Sequence, residues 1–190
     1  MPWTNQKGTY GYIDRQRRWE IMKTVLMFGI SIALYVAGYV ATKSNKNLLT
    51  LVAVLGCLPA SKSAVNMIMF FKAKGCSIEM KEAVGEEIKG LSERYDLYLT
   101  SYAKNFQISH LVMKGKNIIG LTEQEGFDES ACNKHLKTLF AQNGFHNITV
   151  KIFQDQGKYL ERVKSLQDSG TEDDKEFNEK VLELMENLSL

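Results

Sequence analysis

Hydrophobic residues are concentrated in two long stretches near the start of the chain, Thr24 to Ala41 and Leu48 to Phe71. A helix needs roughly 20 residues to cross the hydrocarbon core of a bilayer, and both stretches approach or exceed that length. No charged residue occurs from Thr24 to Thr42, and only about six polar residues separate the two stretches. The pattern predicts a transmembrane helical hairpin over residues 21–73, preceded by a basic segment over residues 1–20.

Small residues recur every four positions in each predicted helix, which places them nearly along one face. Small side chains allow two helices to approach closely in lipid. We expect the two stripes to face each other within the chain, with packing of one stripe on another protomer or partner as the alternative. The stripes are Gly29, Ala33, Ala37 and Ala41 in the first helix and Gly56, Ala60 and Ala64 in the second.

The second helix carries two residues that are unusual in a membrane span, Pro59 and Lys62. Proline removes a backbone donor, so we expect a kink or a break there. A cation near the centre of a bilayer is costly and typically marks a polar pathway or a partner carboxylate. The alternative is that Lys62 reaches the interface because the segment from Pro59 to Asn66 is shifted towards one side, with residues 48–60 re-entrant.

Basic residues flank the hairpin more heavily than its loop. Arg15, Arg17, Arg18 and Lys23 precede or open the first helix and Lys72, Lys74 and Lys81 follow the second, whereas the loop holds only Lys43 and Lys46. Cytoplasmic flanks of membrane helices carry an excess of Lys and Arg. We therefore expect a two-helix membrane protein with both termini in the cytoplasm.

From residue 78 the pattern changes to short amphipathic segments, which predict a cytoplasmic domain over residues 78–167 in the order α-β-β-β-α-β-α. Helices packed on a cluster of strands give an α+β or α/β fold. Alternation and helical periodicity assign the elements. The predicted helices are 79–94, 129–142 and 157–166, and the predicted strands are 95–102, 106–113, 117–122 and 148–153.

Residues 168–190 form an acidic linker and a last amphipathic helix, predicted over 173–188 with Thr171 as its cap. Its apolar positions follow a four-three-four spacing, like a short coiled-coil seam. The helix is expected to dock either on the domain itself or on a partner or second copy. The seam residues are Phe177, Val181, Leu184 and Leu188.

Charge and cysteine content narrow the classes of function. Residues 1–80 carry ten Lys and Arg against three Asp and Glu, whereas residues 81–190 carry fourteen against nineteen. An acidic soluble half disfavours binding of nucleic acid through bulk charge. The three cysteines form no CxxC pair and no zinc-like spacing with histidine, which favours a reducing compartment and predicts no cofactor.

One group of segments follows the order seen in a known fold. Residues 108–112 read Ile-Ser-His-Leu-Val, a turn follows at Gly115, and residues 121–124 read Leu-Thr-Glu-Gln. This order resembles the restriction-endonuclease-like fold, in particular its nuclease-related-domain branch, with its I-D-H-type strand, glycine hairpin and E-x-K segment. The resemblance places the family's metal-binding Asp at Ser109, its Glu at Thr122 and its Lys at Gln124.

These departures predict a non-catalytic member, because such nucleases need two carboxylates to hold a magnesium-type ion. The leading hypothesis is a non-enzymatic membrane protein whose cytoplasmic domain binds a protein partner or its own copies. One alternative is a nuclease-like enzyme with a displaced site at Glu87, His110 and Glu123. Another is a small pore or transport component that uses Lys62.

Overall fold

A computed structural model describes residues 6–88, 90–101, 104–170 and 174–190, without the side chains of residues 86 and 87. The chain divides into two compact units. One unit is Ile13–Lys74, and the other combines Gly75–Leu190 with the N-terminal segment that ends at Tyr12. Thr171, predicted as the cap of the last helix, lies outside the described residues, and the prediction is wrong because Asp174 caps that helix by accepting a hydrogen bond from the backbone of Phe177 at 3.0 Å.

The first unit is a helical hairpin of α1 (Tyr12–Thr42) and α2 (Leu48–Lys72). Both helices are long and apolar enough to cross a membrane, and only 17% of the apolar window of each is buried. The first helix starts at Tyr12, so residues 12–20 of the predicted basic segment are helical. The second helix runs unbroken through Pro59, so the loss of one backbone donor does not end it. Of the predicted kink or break, the break is therefore wrong.

The second unit is an α+β domain built on a mixed four-stranded sheet. Its strands are β1 (Ser92–Thr100), β2 (Asn105–Lys114), β3 (Asn117–Leu121) and β4 (Thr149–Phe153), in that spatial order. The first three strands are antiparallel neighbours, and β4 lies parallel to β3. A parallel pair needs a crossover connection, which α4 (Glu129–Gln142) supplies.

Helices cover both faces of this sheet. One core combines α4 and α6 (Lys175–Leu188) with inward residues such as Leu97 and Ile108. The other combines α3 (Ile78–Glu87) and α5 (Gln156–Asp168) with residues such as Val112 and Ile119. The predicted order of helices and strands in this domain is confirmed.

Element boundaries differ from the prediction mainly around the first strand. The helix predicted over 79–94 ends at Glu87, and β1 already begins at Ser92. Ile88 and Leu91 fall within the predicted helix but after the end of the observed one, and they still pack against the core. The apolar periodicity therefore continues beyond the end of the helix. The helix predicted over 129–142 is confirmed, and Asp128 caps it, since its carboxylate accepts a hydrogen bond from the backbone of Ala131 at 3.0 Å.

The outer edge of β1 is covered by both ends of the described chain. The backbone N–H of Tyr95 donates to the carbonyl of Gly8 at 2.8 Å, and that of Leu190 donates to the carbonyl of Tyr98 at 3.0 Å. Gly8 has φ +74, and an added Cβ would lie 2.6 Å from Cδ of Arg94, so the close approach requires glycine. A sheet edge that would otherwise invite pairing is thereby closed.

Candidate functional site

The residues singled out by the nuclease-like resemblance lie together where β2 and β3 run side by side. The Ser109 hydroxyl accepts a hydrogen bond from the backbone of Glu123 at 3.3 Å. The Thr122 hydroxyl donates to the carbonyl of Gln107 at 2.6 Å, and the Gln124 side chain accepts from the backbone of Gln107 at 2.9 Å. Three polar side chains therefore bind neighbouring backbone across the two strands.

These residues do not fit a divalent metal ion. Magnesium-type ions prefer carboxylate oxygens, and Ser109, Thr122 and Gln124 supply only neutral groups. Ser109 and Thr122 are buried, and their hydroxyl groups are engaged with backbone of the same sheet. These side chains therefore connect neighbouring backbone segments and have a structural role.

Two members of the displaced site predicted at Glu87, His110 and Glu123 have other partners. Glu123 accepts a hydrogen bond from the backbone of Ser77 at 3.1 Å, while both ring nitrogens of His110 are bound elsewhere. In the described part of the chain, no group of three His, Cys, Asp or Glu side chains is placed to hold a metal ion. The side chain of Glu87 lies outside the described residues.

The adjacent strands β1 and β2 change phase opposite one another at Asp96 and Ser109. Arg94 bonds to Glu186 of α6, and Leu97 belongs to the same core as α6, although residues three apart in a regular strand face opposite ways. Asp96, between them, has φ +55 and is 2% exposed. The left-handed residue turns the strand, so the side chains after it swap faces of the sheet. This conformation is costly for a non-glycine residue and is tolerated best by Asp and Asn.

Asp96 also holds the start of α3. Its carboxylate accepts a hydrogen bond from the backbone of Cys76 at 2.6 Å, and Glu123 binds the next backbone N–H, that of Ser77. Negative charge is favourable at a helix N-terminus, where backbone donors lack partners. Burial, followed by the charges of Glu123 and Asp96, raises the pKa of the Cys76 thiol to about 12. The thiol therefore stays protonated at neutral pH and is not an activated nucleophile.

A second polar cluster crosses the sheet at His110, which is fully buried. One ring nitrogen, Nδ1, lies 2.6 Å from the Tyr159 hydroxyl, and Nε2 lies 3.2 Å from the Glu93 carboxylate. Burial lowers the pKa of His110, and the hydrogen bond from His110 lowers the pKa of Glu93. An ionised Glu93 only accepts, so Nε2 carries the proton and Nδ1 accepts from Tyr159. Both nitrogens of His110 are thus hydrogen-bonded and its ring is fully buried, whereas the side chain of Glu93 is 42% exposed.

The hairpin packs on residues other than the predicted stripe of α1. Thr24 and Ser63 are joined by a hydroxyl–hydroxyl hydrogen bond of 2.8 Å, and an added Cβ at Gly56 would lie 2.9 Å from the Ser31 hydroxyl. An added Cβ at Gly38 would approach Leu49 to 2.9 Å. The inner face of α1 thus repeats every seven residues, as in left-handed helix pairs.

The two predicted small-residue stripes are therefore placed differently in the hairpin. In α2, Ala60 is fully buried, Gly56 contacts α1 and Ala64 is partly buried. The α1 stripe faces outward, and an added Cβ at Gly29 would meet no atom within 4 Å. The expectation that the two stripes face each other is wrong for α1, because small polar residues such as Ser31 provide the close approach instead. The exposed α1 stripe is Gly29, Ala33, Ala37 and Ala41.

The same contacts determine the position of Lys62 along the axis of the hairpin. Since Thr24 and Ser63 touch and the helices are antiparallel, Lys62 lies level with Val25, the second residue of the charge-free part of α1. Further along, the Arg17 guanidinium donates to the carbonyls of Phe70 and Ala73 at 3.0 and 2.5 Å. Lys62 therefore lies at the end of the segment that lacks charge in both helices and not at its centre.

The last helix docks on its own sheet. Val181 is fully buried, Phe177 and Leu184 pack partly against the same core, and Leu188 is 36% exposed. The buried face also includes Asn178, Leu182 and Met185, so it is rotated from the predicted seam. Arg94 anchors the helix through ion pairs with Glu179, at 2.5 Å, and Glu186.

Sequence reasoning missed the residues that organise this domain, namely Glu93, Asp96 and Tyr159. The only local signal was an acidic residue inside an apolar strand pattern, Tyr-Asp-Leu at 95–97. Their partners lie at least 17 residues away in the chain, so periodicity did not reveal them. Comparisons with protein-family models, with curated proteins and with solved structures find no match.

Proposed function

We propose that this protein is a non-enzymatic membrane protein that anchors a cytoplasmic binding domain to the bilayer. The single observation that carries the proposal is the pairing of Ser109, Thr122 and Gln124 with backbone, at the positions where a nuclease-like domain needs a metal site. We interpret the domain as a degenerate nuclease-like scaffold that keeps the strand order without the metal-binding residues.

The anchoring part of the proposal is supported by the outward-facing apolar side chains of both long helices. Residues 24–42 of α1 contain no charge and cover about 28 Å at 1.5 Å per residue, close to the thickness of a bilayer core. Lys62 lies level with the end of that segment, so neither helix carries a charge deep in the bilayer. This placement removes the reason for a polar pathway and disfavours the pore alternative.

The orientation rests on charge. Arg15, Arg17 and Arg18 lie on the side of the termini, against Lys43 and Lys46 in the loop, so the termini belong in the cytoplasm. The enzymatic alternative is disfavoured because His110 is sealed within the sheet and Glu123 is engaged with the start of α3. The domain would then act by binding a protein partner or a second copy, with membrane lipid around its anchor and no role for nucleic acid.

Topology is tested with single cysteines in a background in which Cys57, Cys76 and Cys132 are replaced by Ala. Ser44→Cys in the loop and Ser130→Cys at the exposed start of α4 form a matched pair. We expect a membrane-impermeant maleimide to label Ser44→Cys in intact cells and Ser130→Cys only after permeabilisation. The reverse pattern, or release of the protein from membranes by carbonate, would contradict the proposal.

Catalysis is tested with the detergent-solubilised full chain, supercoiled DNA and magnesium or manganese. We expect no nicking above that of a mock preparation purified from cells without the protein. Metal-dependent nicking would contradict the proposal. If Glu123→Ala abolishes that nicking and the control Glu129→Ala retains it, the protein is the enzyme with the displaced site instead. Glu129 is a suitable control because it is exposed at the start of α4, away from β2 and β3.

Self-association is distinguished from binding of a different protein by the mass of the purified chain in a mild detergent. If copies pack through the exposed stripe, Ala33→Leu lowers the mass towards that of a monomer, whereas Val36→Leu, also exposed on α1, leaves it unchanged. A wild-type chain that is monomeric at all accessible concentrations would leave a different protein as the partner.

A further inference from the structure

The hairpin carries a belt of cations beyond the charge-free segment of its helices. Thr24 and Ser63 touch at the boundary of that segment, and Arg17 reaches the carbonyls at the end of α2. Residues 15–23 of α1 therefore run alongside residues 64–72 of α2. At about 1.5 Å per residue, this paired section extends roughly 15 Å beyond the boundary.

Some cations of this section are already engaged within the hairpin. Lys23 pairs with Glu20 at 3.1 Å, and Arg17 pairs with Asp14 at 3.2 Å in addition to its carbonyl contacts. Arg18 and Lys72 in this section, and Lys62 at its boundary, are exposed, and among the described residues none of them has a carboxylate within 4.0 Å. Three positive charges are thus left for a ligand from outside the chain.

Apolar side chains lie exposed in the same section, between these cations. Trp19 and Met22 on α1 are 50% and 55% exposed, and Val65 and Phe71 on α2 are 56% and 57% exposed. A surface that combines exposed cations with exposed aromatic and aliphatic groups suits the boundary between headgroups and acyl chains. A free phosphate or an acidic peptide would match the cations but would leave the apolar groups in water.

We infer that Arg18, Lys62 and Lys72 bind the phosphate groups of anionic phospholipids at the cytoplasmic face of the membrane. The inference rests on the proposed membrane anchoring and names the lipid class that the anchor selects. The acyl chains would cover Trp19 and the neighbouring apolar side chains, while the headgroup phosphate would face the cations. Each cation near an anionic surface favours association by about fivefold.

The test uses the full chain in vesicles of zwitterionic lipid that contain a small, equal fraction of dansyl-labelled phosphatidylglycerol or dansyl-labelled phosphatidylcholine. Energy transfer from tryptophan to the dansyl group reports which lipid gathers around the protein, because Trp19 lies within the belt. We expect the anionic probe to be enriched about tenfold or more over the zwitterionic probe. The triple variant Arg18→Gln, Lys62→Gln, Lys72→Gln should lower the ratio to about one.

A charge-matched control separates a site from bulk charge. Lys116→Gln, Lys134→Gln and Lys137→Gln remove three exposed cations from the other unit and should keep the wild-type ratio. An equal loss in the control, or a wild-type ratio near one in protein that resists carbonate extraction, would overturn the inference while membrane anchoring stands. Loss of the enrichment in about 10 mM inorganic phosphate would assign the cations to free phosphate and overturn the lipid assignment. Failure to insert into either kind of vesicle would instead refute the proposed function.

Discussion

Tyr159→Phe removes one hydroxyl from the interior of the sheet-and-helix domain and keeps the ring that fills the core. In the native protein Tyr159 is fully buried on α5, and its hydroxyl lies 2.6 Å from Nδ1 of His110. His110 is itself fully buried, and its other nitrogen is engaged with Glu93. The substitution therefore leaves an imidazole nitrogen that accepts no hydrogen bond and has no route to water.

A buried acceptor that loses its partner costs about 1–3 kcal/mol, whereas the loss of packing is small because the ring stays. We expect Tyr159→Phe to lower the free energy of unfolding of this domain by about 2 kcal/mol, a factor of about 30 in the ratio of folded to unfolded protein. Tyr98→Phe is the matched control. Among the described residues its hydroxyl meets only the amide of Asn105, which is exposed and regains water, so its cost should stay below about 0.5 kcal/mol.

The measurement is guanidinium unfolding of the full chain in mild detergent, followed by the near-ultraviolet circular dichroism of tyrosine. Hydrogen exchange of peptides from β2 and α5 shows whether the loss is in this unit rather than in the hairpin. Equal midpoints for Tyr159→Phe and Tyr98→Phe would refute the reasoning, because they would mean that water or another group reaches Nδ1 of His110.

Three further predictions concern pH, the last helix and the hairpin. The free energy of unfolding of the α+β domain should fall as the pH drops below about 6.5. Burial lowers the pKa of His110 in the folded protein, so the unfolded chain takes up the proton first. Denaturant titrations at different pH values measure this dependence, and His110→Leu should flatten it. Arg94→Met should raise hydrogen exchange in α6 about tenfold, since the helix loses its ion pairs with Glu179 and Glu186, and unchanged exchange would show that apolar packing alone holds it. Thr24→Cys and Ser63→Cys should form a disulfide on oxidation, since these two side chains touch. Gly56→Leu should abolish this disulfide and Gly29→Leu should leave it intact, because of these two glycines Gly56 lies against the facing helix and Gly29 does not.

The order of elements could be predicted from the sequence because it depends on local signals. Apolar stretches, period-two strands, the glycine hairpin at Gly115 and the cap at Asp128 each act over a few residues, and the structure follows them in order. The mixed α+β class follows from that order, because strands in a cluster need helices to cover their faces. The same local signals also identified the two long apolar helices.

Tertiary structure decided which faces of those elements meet. The small-residue stripe at Gly29 and the face at Ser31 both suit close helix packing, and the folded hairpin uses the second. The height of Lys62 likewise depends on its level relative to α1, which no window of α2 contains.

At the candidate site, too, the sequence determines some features and the tertiary structure determines others. Sequence alone determined that Ser109, Thr122 and Gln124 lack the carboxylates of a metal site, because that is a matter of side-chain chemistry. Only the fold decided that these groups bind backbone, and that Asp96 turns β1 and holds the start of α3. Such contacts join residues far apart in the chain, and their free energy exists only once strands and helices have packed.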